Sequence, residues 1–244
     1  MTYLQLVQAA VRAANTANVD ALTTLRNAPG YVRQAADFVN EAWIDVQNEH
    51  DEWKWRIREI TFHTDPGRHE YPVSGDDSSA VAHAVSATGF RRWLGDTEPD
   101  GSIPRFEWLL RLPPAYSAGT RFPYQDYDYF RRDYLVNSDV SSSPTRWSVR
   151  PWDSALLVYP IPRSAVRIDG VYVKGVQQLV DDGDVPEGIS DEFHEMIKWG
   201  GVMKLLAYDG ADDLRRNARR EYRRHHRSFS DRYLPPVRVE GDFA

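Results

Sequence analysis

The residues best suited to chemistry in this 244-residue chain lie close together near its C-terminal third. His194-Glu195-Met196-Ile197-Lys198 begins like a zinc-protease helix, in which histidines four residues apart ligate the metal from one face and the glutamate between them acts as base. Lys198 stands where the second histidine is required, so the motif fails. Upstream, Asp181, Asp182, Asp184 and Glu187, with Glu192 beyond, gather the oxygen ligands that calcium takes. An EF-hand would need side-chain ligands where Gly183 and Val185 fall and glycine where Pro186 falls, so the stretch reads as an acidic turn ahead of a helix. The same carboxylates could serve as the acid/base pair of a hydrolase, which requires two of them about 5 to 10 Å apart in a cleft. His63 and His69 flank a turn, and His225 and His226 point about 100° apart on a helix, so neither pair makes a site. The sequence holds no Walker loop, dinucleotide fingerprint or nucleophile elbow, and with no cysteine it has no thiolate, no Cys-ligated zinc and no disulfide. No catalytic, cofactor-binding or metal-binding residue is assigned, and an enzyme is not expected.

Composition bounds the alternatives. Hydrophobic residues at 41% and charged residues at 27% describe a folded chain with room for a full core. The longest apolar run, Ala155 to Tyr159, is far short of the roughly 20 residues a membrane helix needs, and the N-terminus lacks a secretory signal pattern. A formal net charge of -6 argues against a dedicated nucleic-acid binder. The unusual figure is aromatic, with 8 Trp and 13 Tyr, residues that serve cores and protein interfaces alike.

The elements that must position these residues follow from periodicity. Thr2 caps a first helix along Leu4, Val7, Val11 and Ala14, broken at Asn15 to Asn18. After Pro29-Gly30, Val32, Ala35, Ala36, Val39, Trp43 and Val46 form the face of a second helix ending near His50. Trp53, Trp55, Ile57, Ile60 and Phe62 then alternate as a strand, with a hairpin turn at Asp65-Pro66-Gly67. Residues 74 to 105 read as a loop-bearing stretch with one strand at most. Strands are expected at 106–112, 146–150, 155–159 and 165–174, with a short helix near 124–135. Phe193, Met196, Ile197, Trp199, Met203 and Leu206 mark a buried helix face, and Gly200-Gly201 in its middle points to a close helix crossing. A last helix from about 211 to 229 carries arginine pairs at 215/216, 219/220 and 223/224, then Arg227. Three readings of that helix stay open: a solvated face, a DNA contact, or a patch docking an acidic partner. Tyr233 onward, with Leu234-Pro235-Pro236, reads as an extended tail.

The fold class is therefore α+β. Helices from 1–52 and 191–232 form a bundle, 53–190 is a central antiparallel β-rich insertion, and 233–244 is a C-terminal arm.

Several stretches, in order, resemble the head-to-tail adaptor (head completion or connector) proteins of tailed bacteriophages. They are Tyr3-Leu4-Gln5-Leu6-Val7, the run from Phe38 to Gln47 through Asn40 and Trp43, Trp53-Lys54-Trp55, and Tyr127-Asp128-Tyr129-Phe130-Arg131. The likeness continues in Arg146-Trp147-Ser148-Val149, Leu156 to Pro162, Gly170-Val171-Tyr172-Val173-Lys174, Asp184-Val185-Pro186, the helix from Glu192 to Tyr208, and the charged terminal helix. The 76–105 stretch and the 15–30 linker carry none of this likeness.

The resemblance implies a structural virion protein without a cofactor. It implies a homo-oligomeric ring of twelve copies beneath the portal protein, extending the channel for double-stranded DNA, meeting a tail or nozzle protein, and made in the host cytoplasm. The first 190 residues hold 19 basic and 26 acidic side chains, whereas 191 to 244 hold 11 and 10. This asymmetry makes the last helix and the tail from Phe229 the expected portal arm, with Arg223, Arg224, Arg227, Phe229, Tyr233, Leu234, Pro235 and Pro236 at the interface. Two other classes remain, a carbohydrate- or receptor-binding tail accessory using exposed aromatics, and a phage cell-wall hydrolase.

Overall fold

In the computed structural model of the chain, Thr2 closes a capping box on the first helix. Its hydroxyl accepts from the Gln5 N–H at 3.3 Å while the Gln5 side chain accepts from the Thr2 N–H at 2.9 Å. The structure describes residues 1–15, 22–50, 53–75, 83–95, 108–112, 119–136, 139–141 and 143–234. The α-helices among them are α1 (Tyr3–Ala14), α2 (Gly30–Glu49), α3 (Tyr127–Asp133), α4 (His194–Tyr208) and α5 (Asp212–Tyr233). The chain divides into two units, one of residues 1–56 with 176–244 and one of 57–175, in keeping with an α+β class in which terminal helices flank a β-rich middle.

The helical unit is built from two distant pieces of sequence. Val32, Ala35, Ala36, Val39, Trp43 and Val46 are all buried, so the apolar stripe of α2 does what its spacing predicts. On α1 the buried face is Leu6, Val7, Ala10, Val11 and Ala14, with Leu4 only half-buried, and Asn15 ends the helix in the left-handed region at φ 54°. Gly200 and Gly201 sit where α4 crosses α2. A Cβ on Gly201 would lie 2.6 Å from Val39 Cγ2 and 3.1 Å from Val39 Cα, and one on Gly200 would lie 2.9 Å from Ala42 Cβ. The crossing is therefore as close as two backbones allow.

The returning segment is fastened to polar side chains of α2. Gln47 Nε2 donates to the Gln177 carbonyl at 2.9 Å and Gln47 Oε1 accepts from the Gln177 N–H at 2.8 Å. Asn40 Oδ1 accepts from the Leu179 N–H at 2.8 Å, and Trp43 Nε1 donates to Gln177 Oε1 at 3.1 Å. Gln47 is fully buried, so these bonds satisfy groups that water cannot reach.

Trp53 and Trp55 do not begin a strand. Lys54–Arg56 is a 3-10 turn, and both indoles belong to the helical core: Trp53 Nε1 donates to the Val46 carbonyl at 2.8 Å and Trp55 stacks on Trp43 at 5.1 Å. A single tight turn can place residues two apart on one apolar surface, so their alternation imitated a strand.

The β unit contains, in order, β1 (Ile57–His63), β2 (Glu70–Tyr71), β3 (Val73–Ser74), β4 (Val85–Ser86), β5 (Phe90–Leu94) and β6 (Trp108–Arg111). After these come β7 (Gly119–Phe122), β8 (Val140–Ser141), β9 (Arg146–Val149), β10 (Leu156–Tyr159), β11 (Ile161–Pro162) and β12 (Arg167–Lys174). The largest sheet runs β1-β12-β6-β7, with β5 also paired to β12; a second runs β2-β10-β9, and β3-β4 and β11-β8 are short parallel pairs. The expected hairpin after β1 does not form. β1 pairs antiparallel with β12 along its whole length, Ile57 opposite Val173 through His63 opposite Arg167, while the Gly67 N–H bonds to the Pro162 carbonyl. The first and last strands of an insertion have to bring its two ends together, and this ladder does so. The described part of 74–105 holds two strands, β4 and β5, rather than one.

The core of this unit is indole upon indole. Trp108 and Trp147 stack with centroids 4.0 Å apart, Trp93 meets Trp108 edge-on at 5.4 Å, and Trp147 Nε1 donates to the Phe122 carbonyl at 2.9 Å. Gly170 in β12 lies beneath Trp108, where a Cβ would come within 2.7 Å of the ring. Six of the eight tryptophans are buried in one core or the other, so the aromatic surplus goes mainly into the folds themselves.

Two outcomes test these assignments. Gly201→Ala gains about 1 kcal/mol of helix propensity but forces a methyl into Val39, so a net loss of roughly 1 to 2 kcal/mol is expected in denaturant unfolding. Gly30→Ala, with nothing within 4 Å of its Cβ, leaves stability unchanged or raised. The second concerns His194, fully buried, with Nδ1 2.6 Å from the Met1 amine and 3.4 Å from Asp191. Burial, then the Met1 ammonium, lowers its pKa from the usual value against the opposing pull of Asp191. Below about pH 6.5 the unfolded chain takes up a proton that the folded chain resists, so this share of stability is complete above that pH and declines as pH falls. Unfolding free energies measured from neutral to mildly acid pH should decline less steeply in His194→Phe; an identical slope would exclude the imidazole as the cause.

Candidate docking surface

The acidic loop that might have held an ion or an acid/base pair is built as a brace. Asp184 Oδ2 accepts from the N–H groups of Val180 at 2.7 Å and Asp181 at 2.8 Å, and Asp182 Oδ1 accepts from the Leu25 N–H at 2.9 Å. The Thr24 hydroxyl and then the Leu25 amide hold the Asp182 carboxyl below its usual pKa. The carbonyls of Asp184 and Asp182 accept from Tyr3 and Leu4, two of the amides that the start of α1 leaves without helical partners. Further along, Glu192 accepts from Ser190 Oγ at 2.9 Å and pairs with Arg232, and Glu195 pairs with Lys198. Among the described residues no group of three or more His, Asp or Glu is arranged to hold a metal. No described helix is long and apolar enough to cross a membrane.

The other charged feature is α5. It lies against α4, with the Tyr222 ring 3.4 Å from where a Gly200 Cβ would stand. Ala218 and Phe229 are buried and Tyr222 and Tyr233 half-buried, which leaves most of its circumference in solvent. Asp212 and Asp213 in the first turn and Arg232 in the last suit the helix dipole. Burial, then the carboxylates of Glu49 and Asp45, pushes Tyr222 up to about 12, and His226 Nε2 lies 2.6 Å from Glu49.

Apart from Arg232, which pairs with Glu192, the exposed arginines of α5 fall into two rows. Arg216 pairs with Asp213, Arg220 donates to the Asn217 side chain at 2.7 Å, and Arg224 pairs with Glu221 at 2.7 Å, each with the residue three before it. Arg215, Arg219, Arg223 and Arg227, at four-residue steps, have no hydrogen-bond or ion-pair partner among the described residues. One row is tied down within the helix, and the other is open. At the turn into α5, Tyr208 and Leu214 are 67% and 50% exposed. The sequence reading missed this apolar pair and the distinction between the rows, although the i, i+3 spacing of Asp213 and Glu221 was a usable signal for the latter.

The residues expected at the partner interface are dispersed. Arg223 and Arg227 belong to the open row and Arg224 to the tied one. Phe229 is a correction: rather than opening an arm, it is fully buried, 4.9 Å from Trp53, 5.2 Å from Phe193 and 4.8 Å from Tyr233 between ring centroids. The helix continues through Tyr233 because this apolar face continues, and the Tyr233 hydroxyl accepts from the Ser190 N–H at 3.2 Å. Leu234 is half-buried and its N–H donates to the Ser230 carbonyl at 2.9 Å. Pro235 and Pro236, with the rest of the expected arm, lie outside the described residues.

Compared with known proteins, residues 1–239 match the family model described as SU10 adaptor protein. No curated protein matches the sequence.

Stability separates core from surface on α5. Phe229→Ala should cost about 3 to 5 kcal/mol, as for a buried aromatic. Arg223→Ala and Arg227→Ala should stay within about 0.5 kcal/mol of the parent, as read by denaturant titration.

Proposed function

Because this chain belongs to the SU10 adaptor protein family of phage structural proteins at the head–tail junction, we propose that it assembles as a homo-oligomeric ring of twelve copies beneath the portal. There it extends the DNA channel and joins capsid to tail. The observation that carries this reading is the family match over residues 1–239, which spans both units. Its partners are the portal protein on one side and a tail or nozzle protein on the other, and it is made in the host cytoplasm before joining the virion.

Physical arguments support the role. A closed ring requires heterologous contacts, each burying on the order of 1,000 Å². A channel for B-DNA has to avoid gripping its cargo, and a chain with net charge -6 offers few phosphate contacts overall. α5 carries eight arginines against four carboxylates, and Arg223 and Arg227 are exposed on the half of the helix that leads to Tyr233 and Leu234. We place the portal contact there, continued by Pro235 and Pro236.

Cryo-EM of the protein mixed with its cognate portal ring is expected to show a twelvefold collar under the portal. Removal of 235–244, which leaves every described core residue in place, is expected to abolish attachment without changing the thermal unfolding of the helical unit. A chain that binds no portal, or a truncated one that attaches as well as the parent, would contradict the reading.

A further inference from the structure

Four guanidiniums at four-residue intervals, exposed and without partners among the described residues, are an unfinished electrostatic arrangement. Arg215, Arg219, Arg223 and Arg227 extend along about 18 Å of helix and drift around it by about 40° per step. The parallel arginines at 216 and 224 are neutralised within α5 by Asp213 and Glu221. Solubility alone has no use for that division, since either row would serve it equally.

We propose that the open row is the surface of α5 that docks a carboxylate-bearing protein face, and that the row at 216 and 224 takes no part. The inference rests on the adaptor reading only in identifying that face with the portal. Two features favour a protein over a nucleic acid. Asp213, Glu221 and Asp231 are interleaved on the same helix, and Asp37, Glu41, Asp45 and Glu49 are exposed along α2 of the same unit. These carboxylates oppose a continuous phosphate array but leave room for discrete ion pairs. The planar fork of arginine also pairs bidentately with carboxylates, which sets register as well as attraction.

The test uses the full chain in two variants of equal net charge, Arg219→Gln with Arg223→Gln, and Arg216→Gln with Arg224→Gln. All four positions are exposed, and circular dichroism of both variants checks that they remain folded. Binding is measured to the cognate portal ring, to poly-L-glutamate and to a DNA duplex of matching charge. The open-row variant should lose at least about tenfold in affinity for the portal and for polyglutamate, and the tied-row variant no more than about twofold. Equal losses in the two variants would overturn the proposal, as would a parent chain that prefers the duplex to polyglutamate with the same row dependence. A parent that ignores the portal yet shows row-dependent polyglutamate binding would overturn the adaptor reading and leave this inference standing.

Discussion

The helical unit depends on a clasp in which the buried side chain of Gln47 on α2 holds the backbone of Gln177 on the returning chain, accepting from its N–H at 2.8 Å and donating to its carbonyl at 2.9 Å. The half-buried Gln177 side chain accepts from Trp43 Nε1 and the Glu187 N–H and donates to the Val185 carbonyl. The Gln47 amide is costly to leave unpaired once buried, so the clasp tolerates little displacement. It fixes the point at which the chain re-enters the unit. From there the acidic loop reaches the start of α1, and α4 reaches its crossing with α2. Without that register the backbones at Gly200 and Gly201 would have no defined partner in Val39 and Ala42.

The β unit meets the matching requirement by its own means. An insertion within a folded unit has to begin and end at neighbouring points, and the ladder of β1 with β12 ensures this by pairing its first strand with its last. Gly170 then lets Trp108 lie flat against β12, and Trp147 and Trp93 assemble on Trp108. Six of eight tryptophans are used in this way inside the two units. Trp152, on a turn of the β unit, is the large exception, 69% exposed with Tyr127 edge-on at 5.5 Å.

On the proposed reading, the physical problem is to hold neighbours firmly while leaving passing DNA alone. A chain of net charge -6 that carries eight of its 30 Lys and Arg on α5 suits both needs, because short-range ion pairs act at a chosen contact while the long-range field repels phosphate. The acidic loop at 181–187 shows the same economy of charge: the Asp182 and Asp184 carboxylates organise backbone amides.

The sequence by itself determined which segments are helical, where the apolar face of α2 lies, and that Gly200-Gly201 marks a crossing. These are properties of local period and of single residue types, and they need no knowledge of what packs opposite. The family was legible from the order of its motifs. The sequence could not say that Trp53 and Trp55 belong to the helical core, that β1 pairs with β12 rather than with the next strand, or that Phe229 is buried. Each is settled by a partner far along the chain: Val46 and Trp43 for the indoles, Arg167 to Val173 for the strand, Trp53 and Phe193 for the phenyl ring. The two arginine rows of α5 fall between these cases. Their spacing is written in the sequence, but which row is left open depends on rotamers and ion pairs that only the folded helix decides.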